Sequence, residues 1–389
     1  MAKTPSIPKS EFAKRWAALQ EKMAAADLDV VIAHGHEADP ANVRYLSDYW
    51  PLFETGGVAI GRKGDPVLLI GPESLTFAQT RSKIPTIMQI LQYRESAEPD
   101  YPGMKLDTFS DVFKAVAGRR KISRIGIAGM SVMPMTIFHA IEEAAPAGAE
   151  VVRADDLLTE MRQVKSGAEL RCMREAFRIS EVATEAVLAQ IKAGMTEQEV
   201  VGIAQGAMYA EGAEYEGHPT YVLTGRNSTH AIGRPSTKVI KEGEMIQLNI
   251  GALVGGYSSS VGRPVCIGKM PPKMRELVEV GLEAHYKTME FMRAGVPAAE
   301  VVIKFEEFIA EKGYSDYLLY GPCHAIGLME VERPWMESSS EYLLEENMTF
   351  QVDTFLYTKG YGLRWEDGAR VTKSGVELMS DKFLEVIEL

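Results

Sequence analysis

Apolar side chains near the start of the chain recur first at helical spacing and then at strand spacing. Four of them predict an amphipathic helix over about residues 10–26: Phe12, Trp16, Leu19 and Met23. The segments LDVVIA and GGVAIGRKGDPVLLIG are typical of strands, and RKGD in the second predicts a hairpin turn. Strand–helix alternation continues through RIGIAGM to about Val152. The pattern predicts an α/β N-terminal domain over residues 1–157.

The remaining residues, 158–389, carry a second pattern that repeats. In KSGAELRCMREA, Ser166 and Glu169 form a capping box that opens a long helix. Two pairs of similar segments recur in this region. One pair is AGMTEQEVV at 193–201 and AGVPAAEVV at 294–302, which are 101 residues apart, and the other is EGEMIQLNI and EENMTFQVD. The pattern predicts a duplicated C-terminal domain, helix pair plus β segment, with its site where the two halves meet.

Length, composition and net charge favour a globular protein with more than one core and argue against some kinds of partner. A chain of 389 residues is too long for one ordinary core, and 46% hydrophobic with 25% charged residues is typical of a soluble globular protein. A net charge of −12 argues against nucleic-acid or anionic-membrane partners. Three scattered cysteines and the lack of an apolar leader favour a cytoplasmic protein.

Several polar residues stand in apolar segments of the C-terminal half, where a carboxylate or imidazole needs a partner. His324 lies in GPCHAIGL, Asp353 in FQVDTF and Glu366 in RWEDG, and His230 lies in the loop RNSTHAIGRPS. Each histidine could also be a core or loop residue with a backbone partner. Arg364 or Arg370 could pair with Glu366 in a purely structural salt bridge. Cys323, beside His324, is a weaker candidate for a nucleophile.

The stretch from KSGAELRCMREA to WEDGARVT, with NVRYLSDYW before it, resembles the creatinase/prolidase/methionine aminopeptidase family. The resemblance covers essentially the whole chain. It implies a creatinase-type N-terminal domain and a duplicated "pita-bread" α/β catalytic domain. It also implies a homodimer with composite active sites.

The family's five metal ligands, Asp, Asp, His, Glu and Glu, fall on Asn249, Ser260, His324, Asp353 and Glu366. The first two are a neutral amide and a hydroxyl, whereas a pair of hard divalent ions requires anionic oxygen there. The family's second histidine, in H-E-x-P, is replaced by Val331, although Glu332 is kept. We therefore expect no metal and no other cofactor.

A metal-independent branch of the family, which includes creatinase and the ectoine hydrolases, fits this loss. His230 stands where that branch has its catalytic histidine, so the resemblance makes it the acid/base, with His324, Asp353 and Glu366 also catalytic. Two carboxylates without a metal suit a small cationic substrate, a guanidino, amidine or cyclic amide compound. Further expected substrate contacts are Asn249, Ser260, Tyr257, Glu332 and His218, with Phe53 and Glu54 reaching across a dimer interface.

Two other functions remain open from the sequence. The chain could be a metal-dependent Xaa-Pro aminopeptidase or prolidase with a degenerate site, in which His324, Asp353 and Glu366 still hold one ion. It could also be a binding protein that kept the pocket and lost the reaction. A metal site at His34, His36 and Asp39 is a weaker possibility.

Overall fold

The computed structural model describes residues 4–389. These residues form two compact units, one spanning Ile7–Arg162 and the other containing Gln163–Leu389 with residues 4–6. In this part of the chain, no helix is both long enough and apolar enough to cross a bilayer.

The first unit is a six-stranded mixed sheet with helices, as the N-terminal pattern predicts. Its helices are α1 Lys9–Ala25, α2 Ala41–Ser47, α3 Leu75–Arg81, α4 Phe109–Ala117, α5 Met135–Ala144 and α6 Asp155–Gln163, which ends at the junction. Its strands are β1 Val30–Gly35, β2 Gly56–Gly61, β3 Val67–Ile70, β4 Ile87–Gln89, β5 Arg124–Ala128 and β6 Glu150–Arg153. They lie in the order β4-β3-β2-β1-β5-β6. The predicted hairpin is the antiparallel pair β2–β3.

The second unit has four helices and most of the strands. The helices are α7 Gly167–Leu188, α8 Glu197–Ala210, α9 Pro272–Phe291 and α10 Ala298–Glu311. The strands up to α9 are β7 Tyr215–Glu216, β8 Tyr221–Thr224, β9 Met245–Ile250, β10 Ala252–Val254, β11 Tyr257–Ser258 and β12 Val261–Cys266. After α10 come β13 Cys323–Ala325, β14 Glu332–Trp335, β15 Thr349–Tyr357, β16 Gly362–Val371, β17 Val376–Leu378 and β18 Ile387–Glu388.

The predicted duplication is visible in the order of these elements. Each helix pair, α7–α8 and α9–α10, is followed by strands that enter one nine-stranded sheet, whose main path is β14-β13-β15-β16-β12-β9-β8. The capping box predicted at Ser166 is present, and Thr196 forms a second one with Glu199 at the start of α8. Gly212 and Gly313, just after α8 and α10, have φ of 94° and 79°, a left-handed conformation that glycine adopts without strain. The α/β fold class expected from the sequence is therefore confirmed.

Candidate active site

A row of residues runs across the centre of the nine-stranded sheet. Asn249 on β9 pairs with Gly262 on β12, Gly262 pairs with Glu366 on β16, and Glu366 pairs with Asp353 on β15. Directly paired residues place their side chains on one face within a few ångströms of each other. Sheet register alone therefore assembles three residues of the five-position set that the family resemblance identifies.

Gly262 leaves the space in which this row meets. A Cβ atom at this position would lie 2.7 Å from Glu366 Cβ and 3.0 Å from Asn249 Oδ1. Such contacts are too close for any side chain to be accommodated without movement. The glycine thus allows Asn249 Nδ2 to donate a 2.6 Å hydrogen bond to Glu366 Oε2.

His324, Asp353 and Glu366 are buried and bring one possible ligand atom each to within 4.8 Å of one another. Within residues 4–389 this is the only such group of three or more His, Cys, Asp or Glu residues. His324 Nδ1 donates to the Ala325 carbonyl at 3.1 Å, so Nε2 carries the lone pair of the neutral ring. His34, His36 and Asp39 do not form a comparable group.

Asp353 is held by a cation and a phenol. Its Oδ1 lies 3.1 Å from Arg364 Nε, and Tyr320 Oη donates to its Oδ2 at 2.6 Å. Arg364 also donates to Tyr320 Oη at 2.7 Å and to the Ala231 carbonyl at 2.9 Å. Burial raises the pKa of Asp353, and the guanidinium opposes that shift. Despite the short separation, Asp353 Oδ1 receives no well-directed hydrogen bond.

Glu366 is held from two sides by amide groups. Besides the Asn249 amide, Gln351 Nε2 donates to Glu366 Oε1 at 2.9 Å and to the Ser260 carbonyl at 3.0 Å. Burial alone would raise the pKa of Glu366, but Arg364, the nearby histidines and the Asn249 hydrogen bond hold it below its usual value. Glu366 is therefore the ionised member of the carboxylate group.

Ser260 connects the row to His218. Ser260 Oγ lies 2.9 Å from His218 Nε2 and 3.1 Å from Asn249 Oδ1. His218 Nδ1 donates to the Pro219 carbonyl at 2.8 Å, so Nε2 is the acceptor when the ring is neutral. Burial lowers the pKa of His218, which favours that neutral form. The single Ser260 hydroxyl proton goes either to Asn249 Oδ1 or to His218 Nε2, so uncharged polar groups occupy the side of the site that the two aspartates would fill in the family pattern.

Glu330 enters the same site from the segment between β13 and β14. Its Oε1 lies 3.6 Å from His324 Nε2, and its carboxyl group is a neighbour of the Glu366 carboxylate. Burial and the neighbouring Glu366 charge raise the pKa of Glu330 well above its usual value.

The other sequence-based candidates lie in different settings. His230 follows a short 3₁₀ helix at Gly225–Thr229; it is exposed, and its neighbour Ala231 binds Arg364. Tyr257 Oη donates to Glu169 Oε1 at 2.5 Å, at the start of α7. Glu332 lies 3.9 Å from Lys165 and accepts from the Met329 backbone N–H. Both Tyr257 and Glu332 therefore have structural partners, and their substrate contacts stay predictions.

In the first unit, Phe53 and Glu54 differ in solvent exposure. Phe53 is 77% exposed, whereas the Glu54 carboxylate is buried. Glu54 accepts hydrogen bonds from the Glu73 and Ser74 backbone N–H groups and from Ser74 Oγ at the start of α3. Of the two, only Phe53 presents its side chain to the surface.

Cys323 is unsuited to act as a nucleophile. It is buried, and burial raises the pKa of its thiol well above the usual value, so little thiolate forms.

The sequence reasoning missed Tyr320, Gln351 and Glu330 and gave Arg364 only a structural alternative. A signal existed for two of these residues. Gln351 precedes Asp353 by two positions on β15, and Arg364 precedes Glu366 by two on β16, so each pair shares a face of the sheet. Tyr320 and Glu330 lie outside regular strands and carry no such periodicity.

The donor set fits one divalent ion and does not fit two. Asp353 Oδ1 is buried and receives no well-directed hydrogen bond from Arg364, and the lone pair of His324 Nε2 is not used in a hydrogen bond. One imidazole and two carboxylates suit a transition-metal ion. Asn249 and Ser260 contribute no charge, and their polar atoms are already hydrogen bonded to each other, to Glu366 and to His218.

Comparisons with known proteins identify the family. The profile of metallopeptidase family M24 matches residues 171–373, and that of the creatinase/prolidase N-terminal domain matches residues 15–164. The Xaa-Pro dipeptidase of Pyrococcus furiosus is 27% identical over 352 residues, covering 90% of this chain and 94% of that protein. The Xaa-Pro dipeptidase of Pyrococcus horikoshii is 29% identical over 347 residues, covering 89% and 92%.

Solved structures of similar fold lead to the same family as the sequence comparisons. The X-Pro aminopeptidase from Thermotoga maritima superposes with a TM-score of 0.83 at 26% identity, covering 96% of this chain and 99% of that one. The Xaa-Pro dipeptidase from Bacillus anthracis gives a TM-score of 0.83 at 25% identity, covering 97% and 100%.

These relatives correct one expectation and confirm others. The expected metal-independent, creatinase-like hydrolysis of a guanidino or amidine compound is wrong, because the similar proteins are Xaa-Pro dipeptidases of a metallopeptidase family. The expected enzyme class, a hydrolase acting on C–N bonds, is confirmed, as is the pita-bread architecture. With both of its domains matched, the chain belongs to metallopeptidase family M24.

Proposed function

We propose that this protein hydrolyses the C–N bond before proline in a dipeptide or a similarly small peptide, at a site that holds one divalent ion. The observation that carries the proposal is the convergence of His324, Asp353 and Glu366 ligand atoms within 4.8 Å at the centre of the sheet. Substrate class comes from the relatives, whose names are Xaa-Pro dipeptidase and X-Pro aminopeptidase.

His324, Asp353 and Glu366 would hold the ion, which when bound polarises the scissile carbonyl and acidifies a water molecule. The chain's own residues keep these ligands in place. Tyr320 and Arg364 orient Asp353, while Asn249 and Gln351 orient Glu366. Ligands fixed by hydrogen bonds in this way need no rearrangement when the substrate arrives.

His230 is proposed as the acid/base. It takes a proton from the attacking water and returns it to the nitrogen of the leaving proline, which then departs as an amine. This role is supported by the hydrogen bond from Arg364 to the Ala231 carbonyl, which ties the loop of the exposed His230 to the residue that pairs with Asp353. His218, whose Nε2 lies 2.9 Å from Ser260 Oγ, is proposed as a substrate contact.

The test is metal-dependent hydrolysis of matched dipeptides. Protein treated with chelator is assayed on Leu-Pro and on Leu-Ala while Co²⁺ or Mn²⁺ is added back. We expect Leu-Pro cleavage to appear with the ion and to saturate at about one ion per chain. Asp353→Asn should abolish it, and Asp316→Asn, which removes an exposed carboxylate of the same unit, should not. Metal-bound protein that cleaves neither dipeptide would indicate a binding relative, and undiminished Leu-Pro cleavage in chelator would refute the ion.

We also propose a homodimer with composite sites and a cytoplasmic location. Leu52 and Phe53 are adjacent and exposed, and paired apolar side chains on a surface suit an interface. Phe53→Ala should raise KM for Leu-Pro without lowering the unfolding temperature. A monomer by light scattering with full activity would contradict the proposal.

A further inference from the structure

Glu330 occupies a position that folding alone does not favour. It lies in the segment between β13 and β14, where its side chain is only 18% exposed, while the neighbouring Val331 is 49% exposed. An acidic side chain turned inward beside an apolar one turned outward is costly unless the acid has a partner inside. The groups it meets there are His324 and Glu366.

The distance between Glu330 and His324 suits two ligands of one ion better than a hydrogen bond. His324 Nδ1 donates to the Ala325 carbonyl, so a lone pair on Nε2 faces Glu330 Oε1 across 3.6 Å. That separation is too long for a hydrogen bond. Two ligand atoms each bound at about 2.1 Å to a single ion lie roughly 3.0–3.5 Å apart.

Two further contacts point to a cation at the same place. The carboxyl groups of Glu330 and Glu366 are neighbours, and such a pair is stabilised either by a shared proton or by a cation bound between the two groups. Asp353 is 5% exposed, and its Oδ1 faces Arg364 Nε at 3.1 Å without a well-directed hydrogen bond. A buried carboxylate oxygen whose hydrogen-bonding capacity is incompletely used can accept an additional partner such as an ion.

The charges also balance for one ion. The family pattern places carboxylates at 249 and 260, and this chain has none there. Glu330 returns one negative charge to the site from a different segment. Glu330, Asp353 and Glu366 with the Arg364 guanidinium carry a net charge of −2 when ionised, which a single divalent ion neutralises.

From these observations we infer that Glu330 is a fourth protein ligand of the ion that His324, Asp353 and Glu366 would hold, an inference that rests on the proposed function. Glu330 lies beside this group of three rather than within it, so its side chain would move towards the ion when the ion binds. The set of one imidazole and three carboxylates suits Mn²⁺, Co²⁺ or Fe²⁺, which take five or six ligands and so keep positions for water and substrate. The chain thereby replaces a two-ion centre with one ion and a different carboxylate.

The experiment is a Co²⁺ titration of chelator-treated protein, followed by calorimetry and by the visible absorption of the bound ion. Wild-type protein should bind about one Co²⁺. Glu330→Gln should weaken binding about 100-fold or more, because loss of an outer partner alone typically costs about 10–100-fold. It should also change the Co²⁺ absorption bands, which report the number and type of ligands. Glu337→Gln, an exposed change of equal charge in the segment after β14, should do neither.

Glu330→His provides the second variant. Imidazole is a metal ligand of similar reach, so it should restore most of the affinity that glutamine loses, whereas a purely structural carboxylate would not be rescued by it. If wild type and Glu330→Gln bind Co²⁺ with the same affinity and spectrum, the inference is wrong while the proposed single ion stands. If wild-type protein binds no Co²⁺ at all, the proposed ion itself is overturned and the inference with it.

Discussion

Arg364 Nε lies 3.1 Å from Asp353 Oδ1, and the two residues sit on neighbouring strands in the interior of the nine-stranded sheet. Both are buried, so the attraction between them is weakly screened by solvent. The same guanidinium also donates hydrogen bonds to Tyr320 Oη and to the Ala231 carbonyl. Arg364 therefore holds Asp353, Tyr320 and the loop that contains His230 close to one another.

Arg364→Met should destabilise the protein strongly. The variant leaves Asp353 buried without its cation, and breaking a buried ion pair on one side typically costs about 3–5 kcal/mol. Arg370→Met is the control on the same strand, since Arg370 pairs with the half-exposed Glu377 and should lose about 1 kcal/mol or less. Urea unfolding in chelator measures both. Equal losses for the two variants would show that the Arg364–Asp353 pair contributes no more than a surface pair.

Restoring both lost carboxylates should recreate a two-ion site. The double variant Asn249→Asp, Ser260→Asp supplies the anionic ligands that the family pattern has at these positions, and we expect Co²⁺ stoichiometry to rise from about one to about two per chain. Equilibrium dialysis with elemental analysis measures this. The single variants serve as controls and should stay near one.

The same double variant should be less stable without metal. Asn249 Nδ2 now donates to Glu366 Oε2 across 2.6 Å, and an aspartate would place two carboxylates in contact there. Its unfolding temperature should therefore fall in chelator and recover with Co²⁺. A stoichiometry that remains at one would mean that geometry, rather than charge, excludes the second ion.

His230→Ala should lower kcat for Leu-Pro by about 10²–10⁴-fold with little change in KM, the usual contribution of a general acid/base. Ile232→Ala is the matched control, because Ile232 is 89% exposed on the same loop. Steady-state kinetics with the ion saturating separates the two. If His230→Ala keeps the wild-type kcat, another residue must be the acid/base, and His218 is the next candidate.

Local signals in the sequence predicted the fold well. Ser166 and Thr196 mark the starts of their helices because each forms a capping box with a glutamate three residues later. The repeat with a period of 101 residues indicates the two halves of the C-terminal domain. Such signals depend only on neighbours along the chain or on a period. Asp353 and Glu366 were predictable as site residues for a related reason, since a carboxylate in an apolar strand needs a partner.

The chemistry of the site was harder to predict because it depends on contacts between distant segments. Glu330 lies beside Val331 and Glu332, which the family pattern singles out, yet an irregular segment has no period that tells which side chain turns inward. Glu54 likewise caps a helix that begins about twenty residues later. The absence of aspartate at positions 249 and 260 favoured a metal-free site, because the position of Glu330 could not be predicted from the sequence. The similarity to Xaa-Pro dipeptidases contradicts that interpretation.

Acid should destabilise the first unit through protonation of His34. His34 on β1 is buried and stacks on Tyr93 with ring centroids 5.8 Å apart. Burial, and secondarily the nearby His36, lower its pKa from 6.5 to about 4. The folded state thus keeps His34 neutral, while the unfolded state takes up a proton below pH 6.5.

Stability from neutral His34 is therefore fully present above about pH 6.5 and is lost as the pH falls towards about 4, by about 3 kcal/mol in total and about 2 kcal/mol at pH 5. Urea unfolding at pH 7 and at pH 5 should show this as a steeper pH dependence in wild type than in His34→Gln, which cannot titrate. His139→Gln, an exposed histidine change in the same unit, should leave the wild-type difference intact. If His34→Gln loses as much stability between pH 7 and pH 5 as wild type does, protonation of His34 is not what destabilises the unit, and the carboxylates must account for the whole effect.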